Sequence, residues 1–203
     1  MTKTFIFDWS GTLSDNFHSF CQVYELIAKE LGGKSLTQNE IKNTFTLPYM
    51  KFWNLHFPDL TKEKEDRLYL KFIHEVERAK AYPTTKETIE HLHKMGHKIF
   101  VVSSDLPLKL LPEAKEFGIS ELFTEIISQS HNKNKQIKYL LEKHNLNPED
   151  TFYIGDTSGD VEEGKIAGVK TKGISWGFQS KDILAKSNPD FLIDDIAEIK
   201  DII

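Results

Sequence analysis

Six short apolar runs, most of them without polar alternation, constrain the fold of this chain more than any other feature. They are Thr4–Phe7, Lys98–Val102, Phe123–Ile127, Thr151–Ile154, Thr171–Ser175 and Asp190–Ile193. Runs of this kind, rich in Ile, Val and Phe, fit parallel strands covered on both faces. From Tyr82 onward they alternate with helical stretches. Thr84 with Glu87 predicts a capping box that opens a helix ending at Gly96. Lys135–His144 and Val161–Ala167 are expected as further helices. This β-α-β rhythm predicts an α/β fold built on a doubly wound parallel sheet.

The stretch between the first two runs differs. Phe17, Phe20, Val23, Tyr24 and Ile27 repeat at helical spacing, and Gly32-Gly33 ends that helix. Thr37 and Glu40 form a second expected capping box, and Leu68, Phe72 and Val76 give a stripe on a later helix. One crossover between parallel strands does not need so many helices. Residues 17–81 are therefore expected to form an inserted α-helical cap, with 1–16 and 82–203 forming the core.

Composition sets the class. The chain has 203 residues, 39% hydrophobic and 28% charged, enough for one α/β domain with a small insertion. A formal net charge of −5 and no dense basic block argue against nucleic acid as a partner. The single cysteine, Cys21, forms no internal disulfide and fits a small core position. No apolar run approaches a membrane span, and no secretory leader opens the chain, so a cytoplasmic setting is expected. Nothing in the sequence fixes the oligomeric state.

The candidate chemistry lies where strands end, because open α/β sheets bind ligands at the carboxyl ends of their strands. Asp8 closes the first run and enters the turn Trp9-Ser10-Gly11-Thr12. Ser103 and Ser104 close the second. Lys133 precedes the helix after the third. Asp156 and Asp160 follow the fourth, in Gly155-Asp156-Thr157-Ser158-Gly159-Asp160. Three acids on one rim repel each other unless a hard divalent cation, most simply Mg²⁺, sits among them. Such a site attracts phosphate. Asp8 then suits a nucleophile and metal ligand, Ser103 a donor to a phosphoryl oxygen, and Lys133 a charge neutraliser. Each residue alone has an ordinary reading as a turn, strand-end or solvated side chain. Their joint order is the signal.

That order, Asp, Ser, Lys and Gly-Asp-x-x-x-Asp, resembles the four motifs of the haloacid dehalogenase superfamily along essentially the whole chain. Tyr82-Pro83, the stretch Glu162 to Gly168, and Trp176-Gly177-Phe178 look like its phosphoglycolate-phosphatase-like branch with a helical cap. The resemblance implies Mg²⁺-dependent hydrolysis of a small phosphorylated metabolite through an aspartyl-phosphate on Asp8. It implies metal binding by Asp8, Asp156, Asp160 and the Ser10 backbone carbonyl, and phosphate binding helped by Thr12 and Ser104. Lys133 fills the lysine motif, with Lys135 as the alternative.

One position departs. The usual first motif is Asp-x-Asp-Gly-Thr, whose second Asp protonates the leaving oxygen; here it is Ser10. Loss of such a group costs ~10²–10⁴ in rate. Asp8-Trp9-Ser10-Gly11-Thr12 is also similar to the first motif of phosphonoacetaldehyde hydrolases, which use a cap lysine as a Schiff base, and Lys51 is the candidate. A phosphonate substrate and a non-catalytic phosphate-binding protein are therefore carried as alternatives.

Overall fold

Strands with no polar face need cover on both sides, and the chain supplies it with alternating helices. The computed structural model describes residues 2–201. In chain order the elements begin β1 (Thr4–Phe7), β2 (Ser14–Asp15), α1 (Phe17–Leu31), α2 (Gln38–Thr44), α3 (Met50–His56), α4 (Lys62–Phe72), β3 (Lys80–Ala81), α5 (Thr85–Lys94) and β4 (Lys98–Val102). They continue α6 (Pro107–Glu116), β5 (Glu125–Ile127), α7 (Lys133–Lys143), β6 (Thr151–Gly155), α8 (Ser158–Ala167), β7 (Lys170–Ile174), α9 (Lys181–Lys186) and β8 (Phe191–Ile193). Six strands form one sheet in the order β5-β4-β1-β6-β7-β8, every neighbouring pair parallel. This is the doubly wound parallel α/β sheet that the strand rhythm predicts.

The pleat of β1 decides the two faces. Phe5 and Phe7 point into a cluster with Ile89, Leu92 and Leu110, beneath α5 and α6. Ile6, between them, packs with Ile137, Leu140 and Tyr153, beneath α7. All three β1 side chains are fully buried, each contributing ~1.5–3 kcal/mol of hydrophobic burial. No helix among the described residues is long and apolar enough to cross a membrane.

Helices α1–α4 gather a separate aromatic cluster around Phe20, Tyr24, Phe45, Phe52 and Trp53. Helix α1 ends as its Gly-Gly pair predicts. Gly32 adopts φ +67°, and the Gly33 N–H donates to the Ala28 carbonyl at 2.8 Å. The Thr37 and Glu40 capping box forms. Cys21 lies half-buried against this cluster. Strands β2 and β3 pair antiparallel, Ser14 with Ala81 and Asp15 with Lys80, so the two chain crossings beside the helical segment run together.

Several expectations need correction. The Thr84 and Glu87 capping box does not form: Thr84 sits at φ +63° and its hydroxyl turns to Asp195, while Glu87 pairs with Lys200 at 2.8 Å. Contacts with the C-terminal segment replace the local cap. Val76 lies beyond the end of α4, so the predicted stripe is shared between that helix and the loop after it. Helix α7 starts at Lys133 rather than Lys135, because Asn132 caps it by accepting from the Lys135 N–H. Helix α6 and the β2–β3 pair have no counterpart among the sequence expectations.

Candidate active site

Strands β4, β1 and β6 are neighbours in the sheet, and their carboxyl ends bring Ser104, Asp8 and Asp156 to one cleft with Lys133, while Ser103 and Asp160 lie buried behind its lining. Asp8 follows β1 and is held by its own N–H, which donates to the Ile154 carbonyl of β6 at 2.8 Å. Asp156 follows β6, and its Oδ2 accepts from the Phe178 N–H at 2.6 Å. Asp8, Asp156 and Asp160 are all buried, and each offers a carboxylate oxygen within 4.8 Å of the others'. Lys133, at the first turn of α7, places Nζ 2.8 Å from Asp8 Oδ1 and 2.7 Å from Asp160 Oδ1.

Electrostatics follow from this crowding. Burial, and then the nearby charge of Asp160, pushes the Asp8 carboxyl up to about 7 against the pull of Lys133. Burial and the charges of Asp160 and Asp8 also raise Asp156. Lys133 is held protonated by Asp160 and Asp8 in spite of its burial. An anionic cluster that a single ammonium leaves incompletely neutralised fits a divalent cation. The backbone is shaped to the same end. Gly11 has φ +74°, and a Cβ there would lie 2.2 Å from Asp156 Oδ2. Only glycine lets the turn approach the acid so closely.

The three acids are not equivalent. Asp160 Oδ1 accepts from Lys133 and from the Tyr153 hydroxyl at 3.0 Å, and Oδ2 accepts from the Thr157 N–H and hydroxyl. Both its oxygens are thus taken by protein donors. Among the described residues Asp156 Oδ1 has no such donor, and Asp8 shares only one oxygen with Lys133.

The remaining predicted residues fall in different places. Ser103 is buried and bonded to Asp105, its hydroxyl donating to Oδ2 at 3.1 Å. Ser104 lines the cleft. Thr12 does not reach the cleft: it is fully buried, and its carbonyl accepts from the Trp176 indole N–H. Trp9 turns away from the cleft, stacks on Phe117 with centroids 5.6 Å apart, and donates from Nε1 to Glu113 at 2.7 Å. Lys51 is exposed on α3 and absent from the cleft lining, because its neighbours Phe52 and Trp53 take the inward face of that helix.

Two residues that the sequence reading missed are Lys109, on α6, and Asp105, in the loop before that helix. Lys109 Nζ donates to Asp105 Oδ1 at 2.7 Å and to Ser10 Oγ at 3.0 Å. Ser10 Oγ donates to Asp105 Oδ2 and accepts from Asn16 Nδ2 at 2.7 Å. Lys109 keeps the Asp105 carboxyl below its ordinary range although burial opposes this. The Leu110 and Ala114 spacing marks the helix, but Pro112 inside it masks the pattern.

The cleft has a volume of about 620 Å³ and is walled on one side by the sheet edge and on the other by α4 with the loops beside it. A protein with this arrangement has relatives. Phosphoglycolate phosphatase of Vibrio vulnificus is 24% identical over 99% of this chain and 96% of its own length. Phosphoglycolate phosphatase of Haemophilus influenzae is 29% identical over 87% of this chain and 72% of its own. Among solved structures, a haloacid dehalogenase-like hydrolase from Bacteroides fragilis superposes with a TM-score of 0.86 at 19% identity, covering 98% of this chain and all of that one. A haloacid dehalogenase-like family hydrolase from Streptococcus pneumoniae gives 0.84 at 22%, covering 99% and 98%. The sequence profile of the haloacid dehalogenase-like hydrolases matches residues 5–174, and with that span the chain belongs to this family of hydrolases.

Proposed function

We propose that this chain is a Mg²⁺-dependent phosphatase of small phosphomonoesters. The observation that carries the reading is the setting of Asp8: a buried carboxylate at the end of β1, between the ammonium of Lys133 and the carboxylate of Asp156. Asp8 attacks phosphorus as the P–O bond to the ester oxygen breaks, that oxygen takes its proton from water, and a second water attacks the aspartyl-phosphate, releasing phosphate and restoring the Asp8 carboxylate. Lys133 holds Asp8 in place and offsets negative charge on the transferring group. Ser104 borders the same space.

Asp8, Asp156 and the Ser10 carbonyl are the residues to hold the cation, and Asp160 anchors Lys133. The cation supplies charge neutralisation that lets an anionic nucleophile meet an anionic phosphate. Residues 17–81 serve as the cap that closes over the substrate. The names of the Vibrio and Haemophilus relatives support a phosphatase. Lys51, the lysine expected for a Schiff-base route, is exposed and away from the cleft, and the one lysine of residues 17–81 that lines it, Lys62, is paired with Asp66.

The test is phosphate release from a panel of metabolites with and without Mg²⁺, with Asp8→Asn as the control. Mg²⁺-dependent release abolished by that substitution supports the reading. Phosphate binding without turnover of any panel member would replace it with a binding role.

A further inference from the structure

The far wall of the cleft carries an acid with no partner. Seven carboxylates line the cleft against four Lys and Arg side chains, and each of those cations is already paired. Lys62 is bonded to Asp66, Lys109 to Asp105 at 2.7 Å, Lys133 to Asp8, and Arg78 lies 3.8 Å from Glu116. Of the remaining acids, Glu113 accepts from Trp9 and Ser14, and Asp156 accepts from the Phe178 N–H. Glu65, on α4, is different. It is only 4% exposed, yet among the described residues its carboxyl makes neither a hydrogen bond nor an ion pair.

A buried carboxyl without a donor is costly, and such a group in a binding cleft marks the place of a ligand group. Burial, and then the charge of Asp66, raises the Glu65 carboxyl to about 8. A ligand that donates to it relieves that cost. Tyr49, Trp53 and Tyr69 line the same cleft and favour a cation over an anion there. Glu65 lies on α4, and its carboxyl feels the charges of Asp66 and Lys62 but not those of Asp8, Lys133 or Asp156 at the reacting end, whereas Tyr69, one turn on, is within reach of both Glu65 and the Lys109 and Asp105 pair.

We infer that Glu65 selects the substrate by receiving an ammonium group at the end remote from the phosphate, so that aminoalkyl phosphates are the preferred class. This rests on the phosphatase reading above. A substrate with a carboxylate at its far end, such as phosphoglycolate, meets no unpaired cation on this wall and faces Glu65 instead.

The test compares ω-aminoalkyl phosphates of increasing length with alkyl phosphates of matched length, and with phosphoglycolate, all with Mg²⁺. At the best length, kcat/KM for the amine exceeds that of its alkyl match by about tenfold or more, the range of a charged hydrogen bond. Glu65→Gln, which keeps the side chain's shape, brings that ratio to about one. An unchanged ratio in Glu65→Gln, or equal turnover of amine and alkyl esters by the parent, overturns the assignment. So does a preference for phosphoglycolate. If none of the esters is turned over, the phosphatase reading falls. Calorimetric titration of the same esters then decides Glu65 separately, since the amine must still bind about tenfold more tightly than its alkyl match.

Discussion

The Ser10 hydroxyl donates to Asp105 Oδ2 at 2.5 Å, joining the first-motif turn to a residue 95 positions away. The same hydroxyl accepts from Lys109 and Asn16. Ser10 is therefore fully engaged, and the position that the Asp-x-Asp-Gly-Thr resemblance assigns to a second aspartate is filled by a serine bonded to a lysine-paired acid. A carboxylate introduced at position 10 meets Asp105 directly.

Ser10→Asp alone is expected to lower stability by ~1–3 kcal/mol through this like-charge contact and to give no gain in turnover. Ser10→Asp combined with Asp105→Asn removes the clash. The pair is expected to recover the stability and to raise turnover of alkyl phosphates, whose poor leaving groups profit most from an added acid. Urea unfolding and steady-state kinetics on the four proteins of the cycle measure the coupling.

Asp8→Asn is expected to reduce phosphate release by ~10³-fold or more while leaving the fold intact, because an amide is a poor nucleophile at phosphorus. The variant also loses one of three crowded acids. Circular dichroism and phosphate release, measured on the same preparation, separate a chemical from a structural defect.

Asp156→Asn is expected to weaken Mg²⁺ binding by ~10-fold or more, since it removes an anionic oxygen that no protein donor occupies. Asp160→Asn is expected to weaken it less, because both Asp160 oxygens serve Lys133, Tyr153 and Thr157. Calorimetric Mg²⁺ titration ranks the two. Equal losses would place both acids on the cation.

Lys172 gives a pH signature independent of the cleft. The residue is 1% exposed, and its ammonium lies 4.2 Å from the Phe152 ring centroid with no hydrogen-bond partner among the described residues. Burial lowers it from 10.5 to about 8. Between those two values the unfolded chain binds more protons than the folded one, so stability rises with pH through that window. The rise is expected to reach ~2–3 kcal/mol before other groups contribute. Lys172→Met removes that rise and is expected to be more stable than the parent at pH 7. Denaturant melts at neutral and alkaline pH of both proteins check it.

The parts legible in the sequence are those encoded by neighbours in the chain. Phe5, Ile6 and Phe7 announce a strand buried on both faces, and Asp8 follows at its end. Gly155-Asp156 repeats the pattern on β6, so the two strands predict a shared rim. The parts that were not legible depend on distant partners. Lys109 and Asp105 meet Ser10 across about half the chain, and Pro112 disguises the helix that carries one of them. Thr84 looks like a cap locally, but Asp195 claims its hydroxyl from more than a hundred residues away. Asp160 reads as a ligand from its motif, but the further bonds its oxygens accept from Tyr153, Thr157 and Lys133 have no local signal. Glu65 was invisible because an unpaired acid on a helix looks like any solvated one.

Phe178 connects two regions that are otherwise built separately. Its N–H holds Asp156 Oδ2, while its ring packs against Phe17, Phe20 and Phe45 of the aromatic cluster, the last at 4.8 Å. Its neighbour Gln179 repeats the arrangement, accepting from the Ser158 N–H and donating to the Phe45 carbonyl. The posture of the acid at the end of β6 is thereby tied to how tightly the helical segment is seated. A substitution as remote as Phe45→Ala would be felt at Asp156 as a loosened anchor, and the strength of cation binding becomes a gauge of packing on the far side of the cleft.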